Sequence, residues 1–115
     1  AAASGKSSIA PGDDDPMKRK RKGHRLERKT FAQLTAAGYL CIRSAASLGP
    51  FDIIAISPLG IRCIQVKANV WPGPQEREGL RMAALGLPSN ARIECWRWND
   101  RARQPLIKGL EELEL

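Results

Sequence analysis

Asp52, Gln65 and Lys67 lie on two neighbouring segments of the chain and have side-chain types that suit phosphate chemistry. Residues 49–56 and 61–67 are rich in Ile and flank a short Pro- and Gly-containing turn, so they predict a β-hairpin. Side chains alternate along a strand, which puts Gln65 and Lys67 on one side, with Asp52 at the start of the partner strand. A carboxylate, an amide oxygen and an ammonium grouped in this way could hold a divalent cation against a phosphate and offset the charge that develops during attack. Taken singly, Asp52 could cap a turn and Lys67 could be a solvated strand lysine.

A fourth candidate, Glu27, lies on a predicted helix that runs from about His24 to Ala37. Phe31 and Leu34 give this helix an apolar stripe, and a glycine follows its last residue. Glu27 is four residues before Phe31 and seven before Leu34, so it is predicted on the buried face. A buried carboxylate needs a cation or a metal, and the simpler alternative is an ion pair with a neighbouring Arg.

The remaining pattern predicts an α/β fold with the order αβββαβ. Residues 39–44 and 91–98 read as further strands, and a helix over about 75–85 begins near Pro74. Its predicted buried stripe consists of Leu80, Ala83, Ala84 and Leu87. Residues 100–115 fit either a short helix or an edge strand. Short turns suggest that the first three strands are antiparallel, and the helical crossover lets the last run parallel to a neighbour, giving a small mixed sheet flanked by helices.

The net charge of +7 is concentrated near the N-terminus, where residues 17–30 contain eight Lys or Arg and one Glu. A polyanion is the natural partner of such a run, and nucleic acid is favoured over a solubility tail or a localisation signal. The predicted phosphate contacts in this basic arm are Lys18, Arg19, Lys20, Arg21, Lys22, Arg25 and Arg28.

The 115 residues suit a single domain, predicted over residues 17–115. Residues 1–16 have little to bury and are expected to be a disordered leader from a vector, with Met17 as the native start. No apolar run approaches the roughly 18 residues of a membrane span, so no membrane partner is expected. Cys41, Cys63 and Cys95 form an odd set without metal-ligand spacing and are predicted to be reduced, buried small hydrophobic residues, which fits the cytoplasm.

Three tryptophans have different expected roles. Trp71 follows Lys67 in a loop, where an aromatic ring could stack on an unpaired base, although it could equally cover the core edge or a dimer contact. Trp96 and Trp98 share one face of a predicted strand, which favours the core or a dimer interface.

The motifs occur in a familiar order. Residues 22–28, Gly38-Tyr39, residues 42–45 with Ser47, residues 50–55 and Ile64-Gln65-Val66-Lys67 follow one another with family spacing. The chain resembles the archaeal-type Holliday junction resolvases of the PD-(D/E)xK nuclease superfamily, over roughly residues 18–98. A bare Asp and x-Lys pattern would be weak evidence. The ordered set of helix Glu, Arg-Ser loop, Asp and x-Val-Lys is much more specific.

The resemblance implies a restriction-endonuclease-like core and a homodimeric, Mg2+-dependent endonuclease, with Mn2+ as a possible substitute, that cuts four-way DNA junctions. Glu27 then matches the helix carboxylate, Asp52 the metal-binding Asp and Lys67 the motif lysine, which would orient water or stabilise developing charge. The implied metal ligands are Asp52, Gln65 and Glu27. Ser47 and Arg43 match the loop that the family places beside the scissile phosphate.

Two departures from the family pattern bear on activity. One residue, Phe51, is inserted between the Pro and the Asp of the motif, and Gln65 stands where the family has Glu. A Gln oxygen can ligate a hard cation but brings no charge, so metal affinity should be lower than with three carboxylates.

Three functions therefore stay open, with the resolvase leading. The others are a related nuclease acting on flaps or other DNA, and a DNA-binding module weakened by Gln65. The expected location is the cytoplasm, or the host cytoplasm for a phage protein.

Overall fold

The computed structural model describes residues 16–44 and 49–114. The predicted leader up to residue 15 and the predicted loop residue Ser47 lie outside these ranges. The helices within them are α1 (Pro16–Ala36), α2 (Pro74–Ala84) and α3 (Leu110–Leu113). The strands are β1 (Leu40–Arg43), β2 (Ile53–Ser57), β3 (Gly60–Ala68), β4 (Ala91–Trp98) and β5 (Leu106–Gly109).

The strands form one mixed sheet in the order β1-β2-β3-β4-β5. The first three strands pair antiparallel, β3 pairs parallel with β4, and β5 returns antiparallel beside β4. The parallel pair requires a crossover, and α2 provides it. The predicted α/β class, the antiparallel pairing of the first three strands and the parallel pairing of the strand over residues 91–98 are confirmed.

Helix α1 covers one face of the sheet. Its Leu26 and Leu34 pack with Ile64, Trp96 and Trp98 in the larger apolar cluster. The buried Trp98 indole donates a hydrogen bond to the Thr30 hydroxyl at 2.8 Å, which satisfies a polar group that burial would otherwise penalise. Trp96 and Trp98 therefore belong to the core, one of the two roles that their pattern predicted.

The opposite face of the sheet is covered by α2 and α3. Leu80 of α2 packs between Cys63 and Ile93, and Leu110 and Leu113 of α3 close the same cluster. Alternate residues of β3 and β4 thus face two separate cores, as expected for a central strand buried on both sides. Gln65 and Lys67 follow Cys63 at two-residue spacing, so they project on the α2 face.

The N-terminal helix differs from its prediction, because α1 begins at Pro16 and not near His24. The basic run from Lys18 to Lys22 is therefore the first part of a helix. Apolar periodicity cannot reveal this part, because the run contains no apolar residue that could face the sheet. Lys and Arg are nevertheless good helix formers, and a proline is well tolerated in the first turn.

The ambiguous C-terminal segment contains both of the elements considered for it. β5 is an edge strand, and α3 follows it directly. The three cysteines are free, with Cys63 and Cys95 buried and Cys41 partly buried. In the described part of the chain, every helix is too short or too polar to cross a lipid bilayer.

The turn between β2 and β3 depends on Gly60. Its φ is +146°, and an added Cβ would lie 2.5 Å from the backbone oxygen of Asn90. Only glycine fits such a backbone at so close an approach. The Ile61 amide also donates to the Asn90 oxygen at 3.0 Å, which ties the hairpin to the start of β4.

Candidate active site

Asp52 lies at the entrance to β2, directly against β3. Its backbone amide donates to the Ile64 oxygen at 2.8 Å, and its Oδ2 accepts the Val66 amide at 2.8 Å. These two bonds bracket Gln65, so the Asp52 carboxylate is fixed beside Gln65 by the hairpin itself. The hairpin places two of the sequence-predicted residues together through backbone pairing.

The Asp52 carboxyl has a raised pKa. Burial is the main cause, the hydrogen bond from Val66 opposes it, the nearby Glu27 carboxylate raises the pKa further, and Lys67 lowers it. The last two effects show that Glu27 and Lys67 lie within electrostatic reach of Asp52. A half-buried carboxylate that is costly to ionise is a frequent mark of a functional site.

Gln65 has an unpaired side-chain oxygen at the same place. Its Oε1 is buried and has no hydrogen-bond partner among the described residues. An unsatisfied buried amide oxygen is unfavourable unless something else contacts it. A hard cation is one such contact, since cations of this kind bind amide and carboxylate oxygens.

Lys67 is held by an acidic residue that the sequence pattern did not single out. Its Nζ lies 3.1 and 2.9 Å from the two carboxylate oxygens of Glu76, in the first turn of α2. The Gly73 amide donates to the same carboxylate at 3.2 Å, so Glu76 also caps its helix. The contact with Lys67 is the main cause that lowers the pKa of Glu76. The Pro74 helix start and an acidic residue in its first turn were the only sequence signal for this pair.

Cys95 is a buried neighbour of these charged residues on the adjacent strand β4. It is the partner of Gln65 in the parallel pairing of β3 with β4, and it is fully buried. Burial raises the pKa of its thiol to about 12, with Lys67 lowering it and the Glu76 and Asp52 carboxylates raising it. The two carboxylates and Lys67 therefore all act electrostatically on this one buried position. The raised pKa keeps the thiol protonated, so Cys95 is a neutral neighbour and not a nucleophile.

Glu27 reaches this group from α1, at the margin of the buried face. Its side chain is 20% exposed, and Oε1 lies 3.5 Å from the Arg43 guanidinium of β1. Glu27 thus has a cation partner, as its simpler interpretation required, although the partner belongs to a strand. The Glu27 charge also raises the pKa of the Asp52 carboxyl, so Glu27 acts on the candidate site electrostatically, and its role as a metal ligand stays a prediction.

The predicted metal ligands are two carboxylates, Asp52 and Glu27, and one amide, Gln65. No cluster of three Asp, Glu, His or Cys side chains suited to a metal occurs in residues 16–44 and 49–114. The unpaired Gln65 oxygen beside Asp52 nevertheless fits a hard cation. The donor set is compatible with Mg2+ or Mn2+ and carries less charge than three carboxylates would.

The basic residues of α1 are in part engaged within the chain. Lys22 pairs with Asp100 at 2.6 Å, which is the main cause that lowers the pKa of the Asp100 carboxyl. Arg21, Arg25 and Arg28 are exposed. Lys18, Arg19 and Lys20 fall in the first turns of α1. Arg21, Arg25 and Arg28 therefore present cations on α1, next to Lys22 and its contact with Asp100 in the loop that follows β4.

Replacing Glu76 by Gln is expected to leave the fold intact, because an amide oxygen can still accept the Gly73 amide. The lost pairing should free the Lys67 ammonium for a phosphate. If the protein cuts junctions as the family resemblance implies, its junction affinity should rise and its single-turnover cleavage rate should fall. The expected rate loss is at most about fivefold, the worth of an exposed ion pair. Glu78→Gln, on the same helix, is the matched control. Equal affinity and rate in both variants would show that Glu76 serves the helix alone.

The chain is similar to a solved structure, whereas neither a protein-family model nor a curated protein matches it. The similar structure is that of Hjc, a Holliday junction resolvase from the archaeal hyperthermophile Archaeoglobus fulgidus, at 1.6 Å resolution. The TM-score is 0.66 at 28% identity, over 78% of this chain and 74% of that chain.

The chain resembles an archaeal Holliday junction resolvase. The resemblance inferred from the motifs is thereby confirmed, and the α/β fold is consistent with the restriction-endonuclease-like core. The roles of individual side chains remain predictions based on the geometry described above.

Proposed function

We propose that this protein is a metal-dependent endodeoxyribonuclease that resolves four-way DNA junctions by hydrolysis of phosphodiester bonds. One observation carries the proposal: in a fold similar to a resolvase, Asp52 is fixed beside the unpaired Gln65 oxygen, within electrostatic reach of Lys67 and Glu27. Buried charge held in this way costs stability, and a site is the usual reason to retain it.

Each side chain has an assigned part in the proposed reaction. Asp52, Gln65 and Glu27 would hold Mg2+ or Mn2+, and such an ion would polarise a phosphoryl oxygen and make a bound water easier to deprotonate. Lys67 would orient the attacking water or stabilise the negative charge that develops on the phosphate. Ser47 and Arg43 would lie next to the scissile phosphate, as the family resemblance implies. The exposed cations of α1 would contact phosphates without reading bases.

The proposal includes a homodimer, because selectivity for a four-way junction is best explained by two active sites presented to one branched duplex. Exposed apolar residues on edge strand β1 support an interface. Leu40 is 67% and Ile42 51% exposed, and they alternate with the packed Cys41. Such a pair on a sheet edge invites a partner surface. A cytoplasmic location accompanies the proposal, in line with the free cysteines.

The test compares a labelled four-way junction with a linear duplex of matched sequence, each incubated with the protein and Mg2+. Paired, symmetric nicks on the junction alone are the expected result. Equal cutting of the linear duplex would rule out junction resolution and favour a related nuclease with another target, for which a flap substrate is the third arm.

A DNA-binding module without activity is the second candidate, and the observation in its favour is Gln65. Only two of the three predicted metal ligands carry charge, which weakens the hold on a cation. Tight junction binding with no cleavage in either Mg2+ or Mn2+ would establish this candidate in place of the nuclease.

A further inference from the structure

The Trp71 ring makes cation–π contacts with two basic side chains beside the candidate active site. The Arg97 guanidinium of β4 lies 5.4 Å from the centre of the indole ring, and the Lys108 ammonium of β5 lies 4.8 Å from it. Trp71 belongs to the loop between β3 and α2 and is partly exposed. Arg77 of α2 braces this loop by donating to the Pro72 oxygen at 2.9 Å. The loop between β3 and α2, strand β4 and strand β5 therefore hold one aromatic ring and two positive charges close together.

These two cations lack an acidic partner within the described ranges, unlike several others in the protein. Lys67 pairs with Glu76, and Lys22 pairs with Asp100. Arg97 instead donates to the neutral Asn99 side chain at 2.9 Å. Two like charges on one ring repel each other, and the ring attracts each of them only weakly. An anion supplied from outside would relieve that repulsion.

The cations also lie on the face of the sheet that carries the site. Arg97 is the register partner of Lys67, and Lys108 is the register partner of Cys95, which itself pairs with Gln65. Residues paired across neighbouring strands point to the same side, with strands about 4.8 Å apart. A row of basic side chains therefore runs from Lys67 on β3 through Arg97 on β4 to Lys108 on edge strand β5, and within the described ranges only Lys67 of these three has an acidic partner.

We propose that Arg97 and Lys108, held by the Trp71 ring, bind backbone phosphates of the DNA strand that continues past the cleavage position. The inference rests on the proposed function and extends its contact surface to β5. The contacts would be to phosphate alone, so they add affinity and orient the strand without reading its sequence. In this role Trp71 positions two cations, whereas its sequence pattern suggested direct stacking on a base.

The experiment measures binding of a labelled four-way junction without divalent metal, across a series of salt concentrations. The variants are Arg97→Gln and Lys108→Gln, made singly and together in the full chain. Log affinity falls as log salt rises, and each lost phosphate contact should make this slope less negative by about 0.9. Each loss should also weaken binding roughly fivefold near 0.15 M salt. Thermal unfolding of each variant confirms that the fold is retained.

The matched control is Arg92→Gln. Arg92 lies on the same strand as Arg97, five residues earlier and on the other face, and its side chain is 66% exposed. Glu94 keeps its contacts with Arg62 when Arg92 is changed. Salt slope and affinity should stay close to those of the unaltered protein.

In a second pair of variants, Trp71→Phe should weaken binding less than Trp71→Leu, because only the former keeps a ring for the cations.

The outcomes separate this inference from the proposed function. If the double variant keeps the salt slope of the unaltered protein, while that protein still cuts junctions, the phosphate contacts are refuted and the nuclease proposal stands. If the unaltered protein does not bind a junction even at low salt, both are refuted.

Discussion

Asp52→Asn is expected to abolish junction cleavage while leaving junction binding intact or tighter. Asn keeps an oxygen to accept the Val66 amide, so the hairpin that positions it should survive. The loss of a charged ligand removes several kcal/mol of transition-state stabilisation, which corresponds to a rate loss of about 10² or more. Binding is retained because a negative charge that repels the phosphate has gone. Single-turnover cleavage and a binding titration on the same junction measure both effects.

The same substitution has an expected signature in stability. The pKa of Asp52 is raised in the fold, mainly by burial, so ionisation of this carboxyl destabilises the protein once the pH exceeds its unfolded value of 3.8. This loss of folding stability is absent below pH 3.8 and is complete once the pH is above the pKa of Asp52 in the folded protein. Asp52→Asn should therefore raise the melting temperature at pH 7 without metal, and this gain should vanish below pH 3.8. A variant that cuts normally would show that Asp52 is not in the site.

Gln65→Glu is expected to tighten divalent-cation binding about tenfold or more, because it adds a charged oxygen beside Asp52. The Gln65 oxygen is already buried and without a partner in the described part of the chain, so the new carboxylate needs little rearrangement to reach a cation. Without metal, the variant should be less stable at pH 7, since a second negative charge is buried next to the first. Added Mg2+ or Mn2+ should restore its melting temperature.

The measurement is the rise in melting temperature with metal concentration, which reports cation binding independently of activity. Gln104→Glu, at an exposed position of the loop between β4 and β5, introduces the same change outside the segments that carry the predicted ligands and should leave the metal response unaltered. An unchanged metal response in Gln65→Glu would remove Gln65 from the ligand set. If this variant cuts junctions and the unaltered protein does not, the inactive DNA-binding module becomes the better description.

The local pattern of apolar and turn residues is sufficient to predict those helices and strands whose pairing and burial are determined by residues close together in the chain. The second hairpin strand β3, the strand over residues 91–98 and the helix that begins at Pro74 lie close to their predicted bounds, whereas β2 begins at Ile53 and not at the predicted residue 49. These segments have alternating or periodic apolar residues and clear turn residues at their ends. The ordered motifs also indicate the resemblance to a resolvase, because each motif is a short run whose residue types can be recognised without knowing what it contacts.

Other features depend on which segments meet in space, and no single segment encodes them. Glu76 reaches Lys67 only because α2 crosses back over the sheet, and Trp71 meets Arg97 and Lys108 only because β3, β4 and β5 are neighbours. The order of residues alone specifies the chemical types at the site and the hairpin that joins two of them. Which charges are paired and which are not depends on the fold, because register and crossover set the distances between residues far apart in the chain.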